Sequence, residues 1–164
     1  MKIGVLSDTH SFLHPKVLNF LKSCDEIWHA GDIGNLEILN ELSKIAKVRA
    51  VYGNIDDDKI RITCPENAVF EVEGMKVFMT HIGGYPGRYY PKARKIIDKE
   101  KPGIFISGHS HILKVMPDKK RQLLHINPGA AGNHGYHKTI TAIRFVIANA
   151  KIDDLEVFDL GGRR

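Results

Sequence analysis

Cysteine is scarce in this chain: Cys24 and Cys64 are the only two, and they form no C-x-x-C pair. That excludes a thiolate zinc cage and a dithiol redox motif, and it fits a reduced compartment where each thiol packs as a small apolar side chain. Long apolar runs are missing too, since none approaches the ~20 residues of a membrane span. The first residues lack a signal-peptide pattern, because Lys2 is followed at once by strand-like residues. A cytoplasmic protein with no membrane partner is therefore expected. Repeats, linkers and low-complexity segments are absent from the sequence, so one domain spanning residues 1–164 is expected. A chain of this length buries roughly 70% of its unfolded surface. Negative charge is in deficit, leaving a net +5, with Lys and Arg grouped at 92–101, 119–121 and Arg163-Arg164. Such a surface favours anionic ligands without singling out nucleic acid. Each group falls where a solvated helix face, hairpin tip or tail is expected.

What the chain does have is histidine in a telling place. Gly108-His109-Ser110-His111 follows the apolar run Ile104-Phe105-Ile106, with only Ser107 between. The run is too short for a helix and reads as the exit of a buried strand. Two imidazoles two positions apart at a turn can converge on one point, and neutral histidine is the commonest protein metal ligand.

The same arrangement recurs along the chain. Residues 3–6 form a short apolar run ending in Ser7-Asp8-Thr9-His10, and residues 15–22 show helical spacing opened by Pro15. Ile27-Trp28 leads into Gly31-Asp32; Asn35 can cap a helix whose stripe is Ile38, Leu39, Leu42, Ile45 and Ala46; and residues 48–52 end in Gly53-Asn54. Strand, helix, strand, helix, strand is the pattern of right-handed crossovers in a parallel sheet. In the second half, residues 69–72 and 76–79 read as a hairpin around Glu73-Gly74 that delivers Thr80-His81. A helix is expected from Pro91 to the stop at Lys101-Pro102-Gly103. Strands at 113–116 and 123–126 join through a turn at Pro117-Asp118, a second turn falls at Asn127-Pro128-Gly129, and residues 139–146 and 152–158 form a last antiparallel pair.

Asp8, His10, Asp32, Asn54, His81, His109 and His111 thus all lie at or just past the C-terminal end of a strand. That edge is where ligand crevices form in open α/β sheets. Seven oxygen and nitrogen ligands are too many for one tetrahedral ion and suit two ions sharing a carboxylate, as in hydrolytic centres.

Taken in order, Asp8-x-His10, Gly31-Asp32, Gly53-Asn54, His81 and Gly108-His109-x-His111 resemble the five-part signature of the calcineurin-like metallophosphoesterases. The compact length and the Asn127-Pro128-Gly129 turn resemble the small single-domain phosphodiesterase branch. The resemblance implies an α/β fold, a four-layer αββα sandwich of two mixed β-sheets flanked by helices; strand order alone leaves one doubly wound sheet equally open. It also implies two divalent metal ions, Mn²⁺ foremost, with Ni²⁺, Fe²⁺ or Zn²⁺ compatible with the mixed ligands. One ion would take Asp8, His10, Asp32 and His111, and the other Asp32, Asn54, His81 and His109. Asp32 would bridge them, and a hydroxide between the ions would attack a phosphodiester.

Three positions depart from the family pattern. Ile55 stands where many relatives carry a histidine that protonates the leaving group, Ile82 where Gly often follows the hairpin His, and Ala130 where small relatives often have Ser. Ile55 cannot transfer a proton. The expected donors are His134 or His137, on the Gly-rich segment 129–138, since histidine exchanges protons near neutral pH. Asp56 is expected to support the site, Asp57 and Asp58 to form a solvated turn, and His14, His29 and His125 to pack or hydrogen-bond behind it. Arg88 with Tyr85 and Tyr89 offers a phosphate clamp. The expected partner is a small phosphodiester, with diesters favoured over monoesters and a homo-oligomer compatible. Two alternatives are a nuclease on the same site, for which no aromatic stacking platform stands out, and a non-catalytic scaffold, which retention of all seven ligands argues against.

Overall fold

A computed structural model describes residues 1–135 and 139–162. Its first half runs β1 (Lys2–Leu6), α1 (Pro15–Leu21), β2 (Glu26–His29), α2 (Leu36–Ser43), β3 (Lys47–Ala50) and α3 (Asp58–Thr63). Strands β1, β2 and β3 are parallel neighbours, as the alternation of strands and helices requires. His14 and Asn35 cap α1 and α2, their side chains accepting from the backbone N–H groups of Lys16 and Ile38. Helix α3 is not evident in the sequence. Asp57, expected in a solvated turn, is its N-cap and accepts from the Ile60 N–H at 3.1 Å.

The second half opens with the hairpin β4 (Asn67–Val72) and β5 (Met75–Thr80), closed by Glu73 and Gly74 at φ +50° and +75°, the mirror-image turn that matches strand twist. A two-stranded ribbon, β6 (Gly84–Tyr85) and β7 (Arg88–Tyr89), precedes α4 (Pro91–Glu100). Then come β8 (Ile104–Ile106), β9 (Leu113–Asp118), β10 (Leu123–Pro128), β11 (Thr139–Ala148) and β12 (Lys151–Gly162). Two expected turns shift. Pro117 and Asp118 pair with Leu124 and Leu123 inside the β9–β10 ladder, and Asn127 and Pro128 pair with Lys114 and Leu113.

Strand order is β12-β11-β1-β2-β3 in one five-stranded sheet and β4-β5-β8-β10-β9 in the other. Both are mixed, because β11 runs antiparallel to β1 and β9 antiparallel to β10. Period-2 alternation separates the faces. Ile3, Val5 and Trp28 from the first sheet meet Val77, Met79, Ile104, Ile106 and Ile126 from the second in a shared core. Outside the first sheet, Val17 and Leu21 of α1 and Ile38 and Leu42 of α2 cover Leu6, Ile27 and Ala142. Outside the second, Ala93 and Ile97 of α4 cover Phe78 and Phe105. Helix, sheet, sheet, helix is the expected four-layer α/β sandwich. Among the described residues no helix is long and apolar enough to cross a membrane.

Candidate metal centre

The C-terminal ends of β1, β2, β5 and β8 meet at one end of the sandwich, and the side chains they release converge. Asp8, His10 and His111 bring one ligand atom each within 4.8 Å of one another, and Asp32, His81 and His109 do the same. The two groups touch. His10 and His111 approach through Nε2 at 3.4 Å; His81 Nε2 lies 3.2 Å from Asp32 Oδ1, while Asp32 Oδ2 lies 3.8 Å from His10 Nε2. The Asp32 carboxylate therefore faces both groups, one oxygen to each. Asp8 Oδ1 lies 3.2 Å from His111 Nε2 and 3.9 Å from His81 Nε2. Asn54 is exposed and lines a cleft beside His81.

The backbone is bent to achieve this. Asp8, His10, Asp32, His109 and His111 all have φ between +47° and +68°, a region that asparagine, aspartate and histidine enter more readily than other side chains. The motif glycines permit the close approach. A Cβ on Gly53 would stand 2.0 Å from Asp32 Oδ1, and one on Gly108 would stand 2.0 Å from Ser7 Oγ.

Supporting hydrogen bonds orient the cluster. The Ala30 carbonyl accepts a hydrogen bond from His81 Nδ1 at 2.8 Å, which turns Nε2 toward the carboxylates. The backbone N–H of His109 donates to Asp8 Oδ2 and that of Ile55 to Asp32 Oδ1, both at 3.1 Å. Ile55 thus serves the centre through its backbone, while its side chain is exposed. Asp56 is buried and accepts from the N–H groups of Gly34 at 2.8 Å and Gly53 at 2.7 Å, tying together the loops that carry Asp32 and Asn54. His29 Nδ1 accepts from Gly31 N–H at 3.2 Å, and its Nε2 lies 2.9 Å from the Thr9 hydroxyl. Asn127 donates to the Gly108 carbonyl at 2.9 Å and to Ser110 Oγ at 3.1 Å, bracing the turn between His109 and His111. Its role was hidden in the sequence inside what reads as a turn. Two of the three residues expected to clamp a phosphate are engaged elsewhere: Tyr89 donates to Asp118 Oδ2 at 2.9 Å, and Tyr85 stacks under the Lys114 ammonium at 3.8 Å. Nothing in the sequence signals the Lys114–Tyr85 contact, because the two residues lie far apart along the chain.

Electrostatics differ across the cluster. Burial lowers the pKa values of His10 and His109 and drives fully buried His29 down to about 4, so these rings stay neutral, as ligands and their supports must be. Burial opposes a charge on His81, but Asp32 and Asp8 outweigh it and raise its pKa. Burial would raise the Asp32 pKa, yet His81 and the Ile55 N–H hold it down. Asp8 Oδ1 and His81 Nε2 are buried with no hydrogen-bond partner. Buried polar atoms are seldom left so, and a cation between the carboxylate oxygen and the ring nitrogen would satisfy both. The donor set of carboxylate oxygens and imidazole nitrogens, without thiolate, fits a hydrolytic divalent metal.

Exposed His134 packs its ring centroid 5.1 Å from that of His10, at the rim of the cluster. His137 lies outside the described residues. His14 stays away as a helix cap, and His125 sits behind the site with its Nε2 3.0 Å from Ser107 Oγ.

With that geometry in place, residues 1–150 match the calcineurin-like phosphoesterase superfamily domain. A probable metallophosphoesterase of Methanocaldococcus jannaschii is 35% identical over 136 residues, covering 79% of this chain and 68% of the relative. A phosphodiesterase of the same organism is 27% identical over 146 residues, covering 79% and 83%. A solved structure of a novel archaeal phosphodiesterase superposes with a TM-score of 0.76 at 22% identity, covering 98% of this chain and all of that one.

Proposed function

This chain belongs to the calcineurin-like phosphoesterase superfamily, and we propose that it hydrolyses small phosphodiesters at a centre of two divalent ions held by Asp8, His10, Asp32, Asn54, His81, His109 and His111. The observation that carries the reading is the pair of buried atoms Asp8 Oδ1 and His81 Nε2, each without a hydrogen bond, inside two ligand triads faced by one carboxylate. Asp8, His10, Asp32 and His111 hold one ion, and Asp32, Asn54, His81 and His109 hold the other, with Mn²⁺ the expected occupant. When bound, such ions lower the pKa of water and offset the charge of a phosphoryl group.

The protein's own groups do the rest. His81 is fixed by the Ala30 carbonyl and Asp32 by the Ile55 N–H, so neither reorients as charge develops. Two carboxylates against two divalent ions leave a net positive centre that draws in a phosphate anion. His134, beside His10, gives its ring proton to the leaving oxygen, the task that Ile55 cannot perform. The names of relatives support a phosphodiesterase, since one is called a phosphodiesterase and another a probable metallophosphoesterase.

A monoester dianion needs more cationic support than a diester, and the centre has Ile55 where a further imidazole would provide it. The expected result is a higher kcat/KM for bis(p-nitrophenyl) phosphate than for p-nitrophenyl phosphate, both measured with the manganese-loaded protein. A clear preference for the monoester overturns the diesterase reading and makes the protein a phosphatase.

A further inference from the structure

Asp32 faces both ligand triads, and one bond that holds it comes from a peptide group with a second partner. The Ile55 N–H donates to Asp32 Oδ1 at 3.1 Å. The carbonyl of that same peptide, belonging to Asn54, accepts from Arg61 Nη2 at 3.2 Å. A peptide group is planar, and when it is trans, as this one is, its C=O and N–H point in opposite directions. Whatever fixes the oxygen therefore aims the N–H. Arg61 stands at one end of the peptide and Asp32 at the other, so a guanidinium outside the triads orients a carboxylate inside them.

Arg61 is itself held in place. It belongs to α3, which Asp57 caps and which buries Ile60 against the first sheet's outer layer. Its guanidinium rests 4.7 Å above the ring of Tyr52, the residue just before Gly53. Nε donates to the Asp56 carbonyl at 2.7 Å, and Nη2 also reaches the Gly53 carbonyl at 3.4 Å. Three carbonyl oxygens of one loop thus converge on a single planar fork. The side chain is exposed, so its charge alone contributes little. Geometry carries the effect, because the rigid guanidinium spans acceptors that the point charge of a lysine cannot span. A cation on the oxygen also polarises the peptide, which makes the N–H at the far end a better donor.

Resting on the metal-centre reading above, we propose that Arg61 is a positioning residue of that centre. Through the Asn54–Ile55 peptide it sets the orientation of Asp32, and through the Gly53 and Asn54 carbonyls it sets the course of the loop that carries Asn54. The position where Ile55 replaces the family's histidine then keeps a task in its main chain, and Arg61 is the residue that enforces it.

The test is a chelator competition titration with Mn²⁺ on the parent chain, Arg61→Ala and Arg61→Lys. Mn²⁺ binding is expected to weaken about 10–100-fold in Arg61→Ala, the range for lost contacts behind metal ligands. Arg61→Lys keeps the charge and loses the fork, so it is expected to stay weaker than the parent. Ethylguanidinium is the fragment that Arg61→Ala removes. Added to that variant it is expected to restore most of the lost affinity, and added to the parent to change nothing. An arginine that merely stabilised α3 would give no such recovery. Unchanged affinity in Arg61→Ala, a loss that ethylguanidinium does not reverse, or full parent affinity in Arg61→Lys overturns the proposal. A parent that binds one ion removes the two-ion reading alone, because the same comparison then applies to the ion that Asp32 holds.

Discussion

Backbone angles at single residues mark this centre before any side-chain distance does. Five of the seven ligand candidates occupy the left-handed region, at a cost of order 1–3 kcal/mol each for residues other than glycine. Such conformations persist only where the surroundings over-determine them, and here N–H groups and carbonyls from neighbouring strands hold them. The family's proton donor is replaced by Ile55, which contributes only its N–H. In the proposed mechanism that task falls to His134, whose ring lies against His10. General acid assistance contributes about 10²–10⁴-fold, but only where the leaving oxygen needs a proton. His134→Ala is accordingly expected to slow an alkyl or nucleotide diester at least 10-fold more than bis(p-nitrophenyl) phosphate, with metal content unchanged. Equal slowing of both substrates in steady-state assays removes His134 from the role.

At the scale of elements, the centre is a set of loops clamped at strand ends, and Asp56 is the clamp between two of them. Its carboxylate satisfies the N–H groups of Gly34 and Gly53, so Asp56→Ala frees the loops after β2 and β3 together. Loss of such supporting contacts weakens metal affinity by about 10–100-fold, and a chelator competition titration reads it; an unchanged affinity would show the loops hold themselves. Helix packing has an equally local determinant. A Cβ on Gly4 would meet Leu21 Cδ2 at 2.5 Å, with Cys24 Sγ at 3.1 Å, and both neighbours are buried. Gly4→Ala is therefore expected to destabilise by about 1–3 kcal/mol through overpacking, seen as a lower urea midpoint at constant slope; no shift would mean α1 yields freely. Strands and long helices were legible in the sequence because their apolar periods are strong, and so were the side chains that cluster in the two triads, because each follows a strand. Helix α3 was not: six residues carry too little periodicity, and the run Asp56-Asp57-Asp58 looks solvated although Asp56 is buried and Asp57 caps. The two-sheet arrangement came from family resemblance, since local periodicity does not say which strands become neighbours. The cavity beside His109 was illegible because Tyr85, Lys114 and His125 meet only through tertiary packing.

For the molecule as a whole, two mixed sheets share one core and present their strand ends at a common edge. The first sheet contributes Asp8 and Asp32, the second His81, His109 and His111, and the centre therefore also ties the two sheets together at that edge. The proposed two-ion occupancy rests on Asp32, the carboxylate facing both triads. The decisive measurement is elemental analysis of protein stripped with chelator, reloaded with excess Mn²⁺ and dialysed, for the parent chain alongside His10→Ala and Asp32→Ala. Two ions per chain are expected in the parent, one tightly held ion in His10→Ala, and substantial loss of both in Asp32→Ala. One ion per chain in the reloaded parent, or full retention of two in Asp32→Ala, contradicts the shared-carboxylate centre.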